Sequence, residues 1–240
     1  AQILYGSPSE WNSSRRTVDF YDEGWLVWLD ADTKIRELTG GAHSLDDFCK
    51  RFHGAPSTPP MVKTYGFDDV VATLNDVAPF DWRSFLLTRL NSTDFHAPLG
   101  GIERGGWKLI YQGTPNGFLK DAEQIRRSTE MGYSIGLRLN EDGTIADVIE
   151  GMAAAKAGIG PGMKLVAVNG KAYAPEVLRD FVRATTDPEQ RRLELLINNE
   201  GQLETHQLTY GDGERYPVLE RDQSKADLLS KIIAPLTWTR

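Results

Sequence analysis

The chain has 240 residues, 40% of them hydrophobic, and carries 27 basic against 34 acidic side chains, for a net charge of −7. That length and apolar content suit about two ordinary domains, and the single cysteine, Cys49, excludes an internal disulfide and leaves the redox compartment open. No basic stripe stands ready to neutralise phosphates, and every apolar run falls far short of the roughly 20 residues of a membrane helix, so neither nucleic acid nor a membrane is expected as a partner.

The first half is helical in pattern and rich in tryptophan, with five of the six Trp before residue 113. Phe20, Gly24, Trp25, Leu26, Trp28, Leu29, Ile35 and Leu38 recur at helical spacing between Ser14 and Thr39, and Gly40-Gly41 stops the run. This predicts a long helix buried on more than one side. Ser44 with Asp46-Asp47 predicts a capped second helix to about Phe52, Ala55 to Pro60 a loop, Phe67-Asp68-Asp69 a third helix ending before Pro79, and Asp81 to Leu90 a fourth. Gly100 to Tyr111 reads as a turn and a strand, and Gly113 opens a connector.

The second half changes period. Ile135, Leu137 and Leu139 alternate with polar residues as in a half-buried strand, and Asp142-Gly143 closes it as a turn. Met152 to Ala157 is a short helix former, Gly160-Pro161-Gly162 a tight turn, Leu165 to Val168 a buried strand and Asn169-Gly170 its turn. Pro175 starts a helix with Leu178, Phe181 and Val182 on one side, after which Leu193, Leu195 and Ile197 alternate and Asn198 to Gly201 turns into a last strand, Leu203 to Thr209. Tyr216 onward adds a short strand and a helix from about Ser224 to Ile233 with an apolar side formed by Leu228, Leu229, Ile232 and Ile233.

The order of elements from Tyr133 to Gly170 resembles a PDZ peptide-binding domain, and AKAGIGPGMKLVAVNG is similar to the bacterial form of that domain. The resemblance implies that Ser134, Ile135, Gly136 and Leu137 form a loop whose backbone N–H groups bind a peptide's terminal carboxylate. The peptide would then add to the following strand and lie against the helix from Pro175. By the same analogy Pro175, Arg179 and Val182 face the groove, while Leu178 and Phe181 face the core. A peptide or protein C-terminus is therefore an expected partner.

A second resemblance covers nearly the whole chain. TVDFYDEGWLVWLDADTKIRELTGGAHSLDDFCKRF, the connector TPNGFLKDAEQIRR and the tail YPVLERDQSKADLLSKI resemble the C-terminal part of the glycyl aminopeptidases, PDZ-bearing zinc metallopeptidases of the gluzincin group. Their zinc is held by HExxH and a downstream Glu. None of His43, His53, His96 and His206 stands in such a motif, so the resemblance implies zinc in the intact parent and no cofactor in this chain. It also implies a missing N-terminal catalytic half as a partner, and a parent more in keeping with export than with the cytoplasm.

The expected architecture is multidomain, α and α+β: a helical bundle over 1–112, a connector over 113–130, a PDZ-like domain over 131–212 and a strand-helix tail over 213–240. Tyr21-Asp22-Glu23-Gly24 matches the Tyr-x-Lys-Gly spacing of the related aminopeptidases. There the Tyr donates a hydrogen bond to the oxyanion, a role worth about 3 to 4 kcal/mol of barrier. Glu23 stands where that pattern has Lys, and the competing reading is a Tyr packed among Trp residues. Cys49 with His53 supplies only two potential metal donors, and Asp30 with Asp32, Asp46-Asp47 and Asp68-Asp69 read better as structural acids and helix caps than as catalytic pairs. Two functions follow: part of a zinc aminopeptidase acting at small N-terminal residues such as Gly or Ala, inactive alone, or a stand-alone peptide-binding module.

Overall fold

Twenty residues from Asp19 form the first helix, α1 (Asp19–Leu38), in the computed structural model, which describes residues 19–54, 62–94 and 96–235. The start of the expected first helix (Ser14 to Val18), the loop Ala55 to Pro60 and the last five residues lie outside the described residues. The fold mixes helix and sheet in two compact units, residues 19–108 with the chain from 219 onward, and residues 109–218.

In the helical unit α1 is followed by α2 (Leu45–His53), α3 (Phe67–Val77), α4 (Trp82–Leu90) and a short α5 (Gly100–Arg104). Side chains from the sequence signals set these starts. Ser44 accepts from the Asp46 N–H while Asp47 accepts from Ser44 N at 2.9 Å, Asp69 accepts from Gly66 N at 2.8 Å, and Asp81 caps α4 at Ser84 N. The core collects Ala31, Ile35, Phe48, Leu74, Val77, Trp82 and Leu86, and the fully buried Trp82 indole donates to Ala78 O at 2.7 Å. Gly100 and Gly101 open α5, a helix where a plain turn is expected. A Cβ on Gly101 would come within 2.6 Å of Asp30 N, so only glycine lets α5 lie this close to α1.

The tail of this unit is shorter than the sequence pattern suggests. Asp227 caps a six-residue helix, α9 in chain order (Leu228–Ile233), held by Leu228 N and Leu229 N donating to Gly105 O, and Ile233 stays 73% exposed. Ser224, expected at the helix start, sits in a turn instead, its N–H donating to Asp222.

The second unit begins within β1 (Trp107–Gln112), which pairs with β9 (Tyr216–Arg221). The stretch expected to be a connector holds α6 (Gly117–Arg126), capped by Asn116, and a strand, β2 (Ser128–Met131). After β3 (Leu137–Asn140) and β4 (Ile145–Val148) come α7 (Ala153–Lys156), β5 (Lys164–Val168), β6 (Lys171–Ala172), α8 (Pro175–Ala184), β7 (Arg192–Asn199) and β8 (Gln202–Thr209). They form two antiparallel sheets in the orders β2-β3-β4 and β6-β5-β7-β8. Their inward rows, including Leu137, Leu139, Ile145, Leu165, Leu195 and Ile197, close over Leu178 and Val182 of α8, joined by Ile135 from the turn before β3 rather than from the strand expected to begin there. Among the described residues no helix is long and apolar enough to cross a membrane.

Candidate functional site

α1 presents a bare aromatic face over its first two turns. Phe20, Tyr21 and Trp25 are 52%, 61% and 72% exposed, and the Phe20 and Tyr21 rings lie 4.4 Å apart. Gly24, one turn below Tyr21, has open space where a side chain would stand. Tyr21 is thus not packed among the tryptophans, and the expectation that α1 is buried on more than one side fails at its N-terminal end. Burial begins further along, where Val27 and Trp28 pack against the core and Ala31 and Ile35 lie within it.

The acids that sequence spacing brings forward are engaged in structure. Asp30, fully buried, accepts from Arg89 Nε and forms an ion pair with Arg104, which also donates to Asp30 O at 3.3 Å. Asp32 accepts from Leu45 N at 2.7 Å and from Arg36 Nε at 3.0 Å. The N–H of Ser44, helped by His43 and Lys50, holds the Asp47 carboxyl below the usual range. Burial pushes the Cys49 thiol up, and the His53 ring meets Phe52 edge-on at 5.0 Å. Among the described residues no group of three or more His, Cys, Asp or Glu is arranged to hold a metal ion. A cavity of about 380 Å³ in this unit is lined by Arg51, Phe52, His53, Lys63, Tyr65 and Asp69, and Tyr21 is not part of it.

In the second unit the expected peptide groove is closed. Ser134, Ile135, Gly136 and Leu137 are all buried, and the last three lie against the core rather than lining an opening. Gly136 N donates to Met131 O, Gly136 O accepts from Ile149 N, and Ile135 O accepts from Ala154 N. With φ +83° and a would-be Cβ 2.6 Å from Met152 Cβ, Gly136 serves packing. Above all, β3 has no free edge: β4 pairs with one side, and β2 takes the other in the register Thr129↔Leu139 to Met131↔Leu137. A peptide strand therefore finds no free ladder on β3, the strand the resemblance assigns to it.

The helix side is corrected in the same way. Val182, expected in the groove, is fully buried with Leu178, while Phe181 is half-buried and packs against the same core. Arg179 makes ion pairs with Glu123 of α6 at 2.6 Å and with Glu214 at 3.4 Å, and donates to the Tyr216 hydroxyl. Tyr216 donates to Glu214 at 2.5 Å, and Arg183 pairs with the same carboxylate at 2.6 Å. Burial and Glu214 push the Tyr216 phenol well above the usual tyrosine range. The Glu123 carboxylate also accepts from Glu130 N of β2 at 2.6 Å, so one acid ties β2 to α8.

Sequence reading missed this network because Glu123, Arg179 and the neighbouring pair Glu214 and Tyr216 come from three distant parts of the chain. It also missed a row across the three-stranded sheet, where Glu130, Arg138 and Asp147 stand opposite one another beside a cavity of about 170 Å³. Burial raises the Glu130 pKa there, with Gly132 N opposing it through a hydrogen bond.

No family model matches this sequence, and no curated protein does. Among solved structures the chain is similar to an aminopeptidase N family protein from Idiomarina loihiensis, with a TM-score of 0.56 at 18% identity. The match covers 90% of this chain and 36% of that protein, so the chain spans about a third of its length. At that identity the likeness is one of fold.

Proposed function

We propose that this chain is the C-terminal part of a zinc aminopeptidase of the glycyl aminopeptidase kind, acting at small N-terminal residues, with Tyr21 as its contribution to catalysis. The observation that carries the reading is the exposed Tyr21 phenol beside the unfilled space at Gly24, in the spacing of the Tyr-x-Lys-Gly pattern of related enzymes, with Glu23 where that pattern has Lys. A neutral phenol held on a helix suits stabilisation of charge that appears only as the peptide carbonyl becomes an oxyanion. The fold shared with an aminopeptidase N family protein over most of the chain supports the same reading. By the same resemblance the metal and its ligands belong to polypeptide outside this chain, since none of its four His stands in an HExxH motif, and the chain alone is read as inactive.

The second unit is read as a PDZ-like domain whose ligand edge is filled from within, since β2 already pairs along β3. That favours a structural part in the parent over a stand-alone peptide-binding module. The test uses a protein that carries this chain behind a zinc-binding half. Tyr21→Phe is expected to lower kcat on a glycine anilide by about 100- to 1000-fold with KM little changed. Full activity of that variant would overturn the role, and chelator-sensitive turnover by the 240-residue chain alone would overturn the assignment of the metal elsewhere.

A further inference from the structure

On the face of the three-stranded sheet opposite Leu137 and Leu139, Glu130 of β2 stands across from Arg138 of β3, and Arg138 across from Asp147 of β4. Opposite charges at facing strand positions ordinarily close on one another, and these do not. Among the described residues the Arg138 guanidinium makes no hydrogen bond, and its ion-pair contact with Asp147 is long, at 3.9 Å. Glu130 turns one oxygen to Gly132 N at 2.7 Å and bonds nothing with the other among the described residues. The three charged groups instead line the cavity of about 170 Å³, whose remaining wall is Gly132, Tyr133 and Ile149. Nor does bulk water serve them well: the Arg138 and Asp147 side chains are only 26% and 9% exposed, and burial raises the Glu130 pKa.

We propose that this cavity binds a small α-amino acid, glycine or alanine, with its carboxylate on Arg138 and its ammonium on Glu130, Asp147 adding to the attraction. Charge selects that class. A simple anion would meet two carboxylates and a simple cation would meet the guanidinium, whereas a molecule with both signs a few bonds apart complements both walls. The planar guanidinium suits a carboxylate bound through both oxygens, and its N–H groups are uncommitted. Size agrees, since the cavity is several times the roughly 30 Å³ that one water occupies in the liquid and so has room for a molecule of glycine's or alanine's bulk. Under the peptidase reading such an amino acid would be a reaction product, but the site stands on its own charges and not on the role of Tyr21.

Calorimetric titration of the 240-residue chain with glycine and with alanine tests it. Saturable binding is expected at about 1 mM or tighter. Glycinamide, which lacks the carboxylate, and N-acetylglycine, which lacks the ammonium, are each expected to bind at least about tenfold more weakly. Two variants with unchanged circular dichroism spectra separate the walls. Arg138→Met lowers glycine affinity to that of glycinamide and leaves glycinamide unaffected, and Glu130→Gln lowers it to that of N-acetylglycine and leaves N-acetylglycine unaffected. No saturable heat with either amino acid up to about 20 mM, or N-acetylglycine binding as tightly as glycine, or variants that bind glycine as the parent sequence does, would sink the proposal.

Discussion

Replacing Asp30 by Ala probes the centre of the helical unit. Its carboxylate is fully buried, accepts from Arg89 and is ion-paired with Arg104, the two arginine side chains being 20% and 26% exposed. Breaking a buried ion pair costs about 3 to 5 kcal/mol, because the charge left behind loses its compensation. Here both arginines still reach water, and Arg89 keeps its bond to Phe85 O at 2.7 Å and its place over the Phe85 ring, which sets the expectation near about 3 kcal/mol. For a unit of this size such a loss lowers Tm by on the order of 15 °C. Asp30→Asn keeps the volume and an acceptor and costs about 2 kcal/mol. The assay is urea unfolding followed by tryptophan fluorescence, which is selective because residues 109–218 contain no Trp. Arg104→Ala added to Asp30→Ala is expected to cost little more, since the pair is already broken. A loss under about 1 kcal/mol for Asp30→Ala, or simple additivity of the two changes, would refute the account of a buried triad.

Other perturbations report on the second unit. Arg179→Met removes the cation between Glu123 and Glu214, but Arg183 still faces Glu214, so a loss of about 2 to 3 kcal/mol is expected by urea unfolding followed by circular dichroism. Gly136→Ala meets both a positive φ and the Met152 side chain and is expected to cost about 2 kcal/mol in the same measurement, where a neutral result would deny the close packing. Tyr210 is pushed up to about 12 by burial and then by Asp212. The unfolded chain releases that proton near pH ~10 and the folded one retains it, so stability falls as pH rises from ~10 towards Tyr210's own value. Tyr210→Phe should flatten part of that decline in denaturation measured at successive pH values, and an unchanged slope would show that Tyr210 is not the group responsible.

Much of the fold is legible in short stretches of sequence. Ser44 with Asp47, Gly66 with Asp69, and Asp81 each satisfy helix N–H groups locally, so three helix starts follow from neighbouring residues alone. Asn169-Gly170 takes positive φ at both positions, as a two-residue hairpin turn between β5 and β6 requires. What escaped is decided at a distance. Gly100-Gly101 signals a turn by composition, yet it becomes α5 because the pair fits under Asp30, some seventy positions earlier. The six-residue α9 is set by Gly105 O, an acceptor that the tail's apolar pattern does not announce.

The candidate sites divide along the same line. Tyr21 and Gly24 are read from a spacing of three, and what the spacing cannot give, whether the ring is packed or bare, depends on how much of α1 the other helices cover. The closed edge of β3 is harder to foresee. Ser128 to Met131 alternates only weakly, and its pairing with β3 places just Thr129 and Met131 inside, too brief a pattern to announce a strand. Once β2 is there, the rest follows: the space that would be a groove becomes interior, Val182 becomes core because it and Leu178 stand one turn apart on the covered side, and Arg179 is stripped of water and needs Glu123 and Glu214 as counter-charges. The acids at 123 and 214 are therefore consequences of the closure, and a relative with a free β3 edge would be expected to lack an acid at the position of Glu123 and to leave its arginine open to a ligand.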